Sequence, residues 1–197
     1  MSTAKRRPDQ NRKEATHDRI VQAAGRAIRR TGYSGTGVAD IMKEAGLTHG
    51  GFYAHFASRE AMLAEAADRA GAESLATLER IASGAPPEKA LETLMGGYLS
   101  EEHLQGVESG CPMAALGSEM PRQAPEVRHA ATRRIKEAID LVARQLPEWG
   151  KPGAHEQALA TLSTMVGALV LARAVDDPKL SDAFRSAALK HSTPSSS

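Results

Sequence analysis

Between Thr36 and Arg59 the chain reads TGVADIMKEAGLTHGGFYAHFASR, a run rich in groups suited to a phosphate-lined partner. Thr36, Thr48 and Tyr53 carry hydroxyls and Arg59 a permanent cation, so these four are expected at phosphates. His49 and His55 can donate or accept, and Gly50 and Gly51 leave a patch of backbone bare. These four are expected at the floor of a groove. Two glycines opening a short helix cost roughly 1 kcal/mol each relative to alanine, so something must offset them. Close approach to a broad partner is one gain, and relief of crowding against the preceding helix is the other. Both readings stand at this level.

The spacing of apolar residues supplies the elements that hold these groups. Val38, Ile41 and Ala45 share one helical face that Thr36 is placed to cap, and Gly46 stops the helix with Leu47 as a plug at the corner. Thr48 is placed to cap a second helix, His49 to about Ala54, with Phe52 and Phe56 turned inward. Helix, glycine turn, helix is a helix-turn-helix. Upstream, a helix from Ala15 to Thr31 buries Ile20, Ala23, Ala24, Ala27 and Ile28 and leaves Arg19, Arg26, Arg29 and Arg30 outside. Gly32 ends it, and Tyr33 can bury its ring and offer its hydroxyl to a phosphate. Ser58 is expected to cap a long helix from Arg59 to Ala82.

The run Arg19 to Leu63 resembles the DNA-binding domain of the TetR family of bacterial transcriptional regulators. The resemblance rests on the R-I-x-x-A-A opening, the G-Y before the turn, D-I-x-x-x-A-G-L, F-Y-x-H-F and S-R-E-A-x-L. It implies a ligand-responsive regulator, a repressor by preference, binding palindromic double-stranded operator DNA as a homodimer and released by a small-molecule inducer. It also implies that the last two long helices pair with their two-fold mates. On this chain that interface falls to Leu159, Leu162, Val166, Leu169, Val170, Arg173, Leu180 and Phe184.

Alanine is abundant and aromatics are scarce in the 197 residues, so an all-α fold of about nine helices is expected. The formal net charge is +1, but it is unevenly spread. Residues 1–59 hold 11 Lys/Arg against 5 Asp/Glu, and the remaining 138 hold 14 against 19. The basic part is the part with the helix-turn-helix. The expected organisation is a disordered basic arm over 1–14, the helix-turn-helix over 15–58 and a connecting helix over 59–82. A ligand-binding and dimerisation region over 83–191 and a disordered tail over 192–197 complete it. No leader is read at the start, the longest apolar run, Val166–Ala172, is too short for a bilayer, and one cysteine excludes an intrachain disulfide. A cytoplasmic protein without membrane partner or cofactor is expected. His49 and His55, six apart, make no metal pair, and G-x-S-x-G, P-loop and Rossmann glycine patterns are missing, so no enzyme is expected.

In the C-terminal half, SGAPP at Ser83–Pro87 is the clearest break. Helices are expected from Pro87 to His103, Met113 to Met120, Val127 to Leu146, Ala154 to Asp176, and beyond Pro178 to Lys190. Met95, Tyr98, Leu99, Met113, Leu116, Met120, Leu162 and Met165 could line a cavity in which Tyr98, His103 or Glu119 orients a ligand, or could be plain core. Cys111, between Gly110 and Pro112, has two readings as well: a small buried hydrophobe, or a redox or electrophile sensor within the ligand site.

Overall fold

The computed structural model describes residues 8–192; the N-terminal part of the arm and the tail beyond Ser192 lie outside them. The first helix, α1 (Pro8–Thr31), begins seven residues before Ala15, so residues 8–14 are helical rather than part of a disordered arm. Gln, Arg, Lys and Glu are good helix formers, and a proline suits a first turn. Its stripe Ile20, Ala23, Ala24, Ala27 and Ile28 is buried as expected, but Arg29 is buried too, at 4% exposure.

Helix α2 (Val38–Glu44) ends as the sequence implies. Gly46 adopts φ +70°, its N–H donates to Lys43 O (3.0 Å) and that of Leu47 donates to Met42 O (2.8 Å), the paired bonds of a Schellman stop. The start differs: the cap position is Gly37, and the Thr36 hydroxyl donates instead to Gly32 O at 2.7 Å. The second helix of the motif, His49–Ala54, is a 3-10 helix; its shortness and its two glycines favour the tighter winding. Thr48 holds its cap position without a side-chain bond.

Ser58 Oγ does accept from Ala61 N (3.0 Å) and starts α3 (Arg59–Ser83), about 37 Å long at 1.5 Å per residue. Beyond it come α4 (Ala90–Tyr98), α5 (Glu101–Gln105), α6 (Pro112–Leu116), α7 (Pro125–Gln145), α8 (Ala154–Ala174) and α9 (Pro178–Ser192). The single helix expected to reach His103 breaks at Leu99, because Ser100 Oγ caps a new helix by accepting from His103 N (3.2 Å). The helix expected to reach Met120 stops at Leu116 before Gly117, and Met120–Arg122 forms a separate 3-10 turn. No strand occurs among the described residues. The fold is all-α.

Two cores result. One joins α1, α2, the 3-10 helix and the start of α3 around Ile20, Ile28, Tyr33, Ile41, Phe52 and Met62. The other joins the end of α3 to α4, α7, α8 and α9 around Leu94, Met95, Val142, Met165 and Leu169. Over its whole length α8 is long and apolar enough to cross a bilayer, which the shorter run Val166–Ala172 did not suggest. Its Ala158, Leu162, Met165, Leu169 and Ala172 are buried on one stripe, and it packs against α7 and α9, the pattern of a core helix.

Candidate nucleic-acid interface and internal cavity

The 3-10 helix fixes the outer surface of the head from within. Phe52 and Phe56 are buried and stacked (5.6 Å between centroids), which turns Tyr53 outward at 74% exposure with its edge on Phe52. Thr48, His49 and Gly50 are exposed beside it, and Gly51 is half-buried. An added Cβ on Gly50 would meet nothing within 4 Å, and one on Gly51 only Met42 Cε at 3.6 Å, an ordinary contact. Crowding therefore does not explain the two glycines. What remains is an open backbone surface flanked by a threonine, an imidazole and a phenol.

Three of the residues expected at DNA are otherwise engaged. Thr36 is buried, its hydroxyl shared between Gly32 O and Thr31 Oγ1. The Arg59 guanidinium donates to Tyr33 O and to Thr36 O (3.1 Å), so it clasps the turn before α2. His55 is half-buried with Nδ1 unpartnered. Its ring lies 6.0 Å from His17, which stacks on Phe56 and reaches Glu65 Oε2 at 2.6 Å. Burial first, then the nearby His17 and Lys13 charges, hold the His55 pKa below its usual value. Three basic residues of α1 are also paired: Arg26 and Arg30 with Glu44 (3.0 Å each), Arg30 with Glu108 (3.1 Å) and Arg29 with Glu73 (3.4 Å). The positive charge at the C-terminal end of α1 is thus compensated by carboxylates from α2, α3 and the segment before α6.

Tyr33 faces away from the expected phosphates. It is buried, its N–H donates to Glu119 Oε2 (3.0 Å), and its ring walls a cavity of about 230 Å³ between α3, α6 and α7. Burial, with Glu119 second, pushes its hydroxyl pKa well up. Met113, Leu116 and Met120 line that cavity as expected. Met95, Tyr98, Leu99, Leu162 and Met165 do not; they are buried in the second core, where α4 packs against α3 and α8 against α7 and α9. Ser74, Leu75, Ile135 and Val166 also line it; in sequence Leu75 and Ile135 look like any core position, Ser74 like a polar surface one, and Val166 was expected at the dimer interface.

Cys111 and His103 also lie off the cavity. Cys111 is fully buried, and its N–H donates to His103 Nε2 (2.9 Å) while His103 Nδ1 reaches Tyr98 O (2.6 Å). That pair of bonds requires a neutral ring with the proton on Nδ1. Burial, with the Arg173 charge adding, lowers the His103 pKa against the pull of the Tyr98 carbonyl.

Of the residues expected at a dimer interface, Leu159, Val170 and Leu180 are exposed, as is the neighbouring Leu171. Phe184 is half-buried and Val166 half-buried at the cavity. Leu162 and Leu169 instead face the protomer's own core, and Arg173 donates to Leu104 O (3.1 Å) and His103 O, anchoring α5 to α8. Among the described residues no group of acidic, histidine or cysteine side chains could hold a metal ion.

A helix-turn-helix with a bare, polar outer face, joined by one long helix to an all-α body, is the build of a DNA-binding transcriptional regulator. Residues 20–66 match the model of bacterial regulatory proteins of the tetR family, and residues 87–185 match the C-terminal domain of LmrA/YxaF-like transcriptional regulators. The HTH-type transcriptional regulator Rv0196 of Mycobacterium tuberculosis is 31% identical over 169 residues, spanning 81% of this chain and 85% of that protein. YerO of Bacillus subtilis is 28% identical over 87 residues, 43% of this chain and 30% of its own. The chain belongs to the TetR family of bacterial transcriptional regulators. The same fold recurs in the reduced form of E. coli NemR (TM-score 0.77, 20% identity, 91% of this chain and 95% of that one). It recurs also in a TetR-family regulator from Agrobacterium tumefaciens (TM-score 0.76, 22% identity, 92% and 100%).

Proposed function

We propose that the chain is a ligand-released repressor that binds a palindromic operator as a homodimer. The observation that carries this is the outer face of the 3-10 helix, where Thr48, His49, Gly50 and Tyr53 lie open and the glycines serve no internal packing. With Gly51 half-exposed beside them, that face enters the major groove while Thr48 and Tyr53 reach flanking phosphates. Thr36 and Arg59 act behind it by fixing the turn, and His55 braces the helix against α1. The exposed Leu159, Val170, Leu171 and Leu180 on α8 and α9 form the apolar patch for the two-fold mate, with Phe184 at its margin. The protein works in the cytoplasm, on DNA, and without catalysis of its own.

Selection of genomic fragments by the purified full chain, followed by footprinting, tests this reading. A dimer in solution and two protected patches about one helical turn apart are expected. Protection spread along any sequence would instead mark a non-specific DNA compactor, and a shallow salt dependence a vestigial head.

A second route of release runs through Cys111. Arg173 Nη1 is buried without a hydrogen-bond partner, and the buried Tyr98 hydroxyl has no partner other than the neighbouring Cys111 thiol. Peroxide turning the thiol into a sulfenic acid, with release of water, would add an oxygen able to accept from these donors. If Cys111→Ser leaves release by peroxide unchanged, this route is closed.

A further inference from the structure

The cavity between α3, α6 and α7 has a chemistry that narrows what it can hold. Arg134 is the one formally charged residue on its wall, and its guanidinium is already committed. Nε and Nη2 donate to the two Asp68 oxygens and Nη1 to Glu137 Oε2, each at 2.7 Å. What faces inward is its hydrocarbon stem, packed so close to α3 that a Cβ on Gly71 would lie 2.6 Å from Arg134 Cγ. An anion entering here would find no free cation on the wall, and a cation no carboxylate. The polar capacity left is small. Neither the Tyr33 nor the Ser74 hydroxyl makes a hydrogen bond among the described residues.

Size is bounded as well. A dry cavity of about 150 Å³ is known to hold benzene, and this one, at about 230 Å³, has room for a second ring. One wall belongs to the head itself. Tyr33 sits in the head's core, its N–H held by Glu119 and its carbonyl by Arg59, while Met120, next to Glu119, lines the same cavity. A molecule wedged between Met120 and Tyr33 bears on both sides of the clasp that seats the turn before α2.

Resting on the ligand-released reading above, we propose that this cavity takes an uncharged, largely apolar ligand of one or two rings with a single hydrogen-bonding group. Contact of that ligand with Tyr33 carries its effect to the helix-turn-helix. The differential contact is the clasp, strained when the cavity is filled and relaxed when it is empty.

Three near-isosteric probes test this on the full-length protein by calorimetry: naphthylmethanol, naphthoate and naphthylmethylammonium. The neutral alcohol is expected to bind in the micromolar range, the anion and the cation about a hundredfold more weakly or undetectably. Tyr33→Phe is expected to weaken naphthylmethanol about fivefold and to leave methylnaphthalene unchanged. Ala138→Phe, or independently Leu75→Trp, fills the cavity and should abolish binding and, by standing in for the ligand, lower DNA affinity without any ligand present. Naphthylmethanol should lower DNA affinity about fivefold or more in the wild type and not in either filled variant. Equal or tighter binding of naphthoate or the ammonium probe overturns the ligand class. Binding of the alcohol with unchanged DNA affinity overturns the role of Tyr33. Wild-type protein that protects a discrete operator yet ignores naphthylmethanol overturns this inference and leaves the regulator standing. Tight naphthylmethanol binding with no protected site supports the ligand class and sinks the regulator.

Discussion

The two cores share α3 yet are built in opposite ways. The head closes mainly with residues from Ile20 to Ala67, consecutive short elements whose contacts are local, and it leaves its outer face bare. The body gathers residues from Leu78 to Ala188 and keeps a void beside its packed centre. The seam between them is polar and specific. Arg29 reaches Gly110 O (3.3 Å), Arg30 pairs with Glu108, and Glu119 holds Tyr33, while Leu116 and Val127 from the body complete the head's core. On the proposed reading, the head's outer face and the cavity influence each other across this seam, with a coupling free energy of about 1–3 kcal/mol.

The largest expected effect asks whether the two cores are one cooperative unit. Leu169→Ala in the body and Ile41→Ala in the head each delete a fully buried side chain and should cost about 2–5 kcal/mol. Because α3 runs unbroken through both, each variant is expected to lower one common denaturant transition; two separated transitions would mean that the cores melt independently. Next comes Tyr53→Ala, expected to weaken operator binding by about 1–3 kcal/mol, tenfold or more, with thermal stability unchanged because the ring is exposed. Gly50→Ala separates reading from folding more finely. Gly50 is outside the left-handed region and its Cβ would meet open space, so stability should rise by up to about 1 kcal/mol while DNA affinity falls. Chemical melts and anisotropy titrations on the same preparation decide it.

The smallest effect is a pH dependence arising in the body. His103 has a folded pKa lowered from 6.5, so its neutral form favours the fold. That contribution is fully present above the ordinary histidine value and is lost as pH falls through the lower folded one. His103→Gln, which keeps hydrogen-bonding capacity without the titration, should flatten the decline in melting temperature between neutral and mildly acidic pH. An unchanged decline would place it elsewhere, His55 being the other depressed histidine.

What could be read in advance follows from the same contrast. The head's elements depend on neighbours in sequence, so Gly46 as a stop, Ser58 as a cap and Phe52 and Phe56 as inward residues were legible from spacing. Side-chain commitments that cross the fold were not. Nothing local to Arg59 says that its guanidinium will clasp Tyr33 O, or that Thr36 will bond back to Gly32 instead of forward to α2. In the body, helices were legible but their contents were not. Met113 and Met95 look alike in sequence, yet only the first reaches the cavity, because the break at Leu99–Ser100 and the short α6 decide which stripe faces the void. Leu162 and Leu169 likewise resembled the exposed Leu159 until α8 was docked on α7 and α9.

The central claim is that the open face of His49–Ala54 reads DNA. Its most direct test is the affinity of wild type and Tyr53→Ala for the selected operator and for a scrambled duplex, across a salt series. The expected result is a steep salt dependence for both proteins on both duplexes, with the wild type's preference for the operator collapsing in the variant. A variant that keeps the wild-type preference would move the reading surface to another part of the molecule.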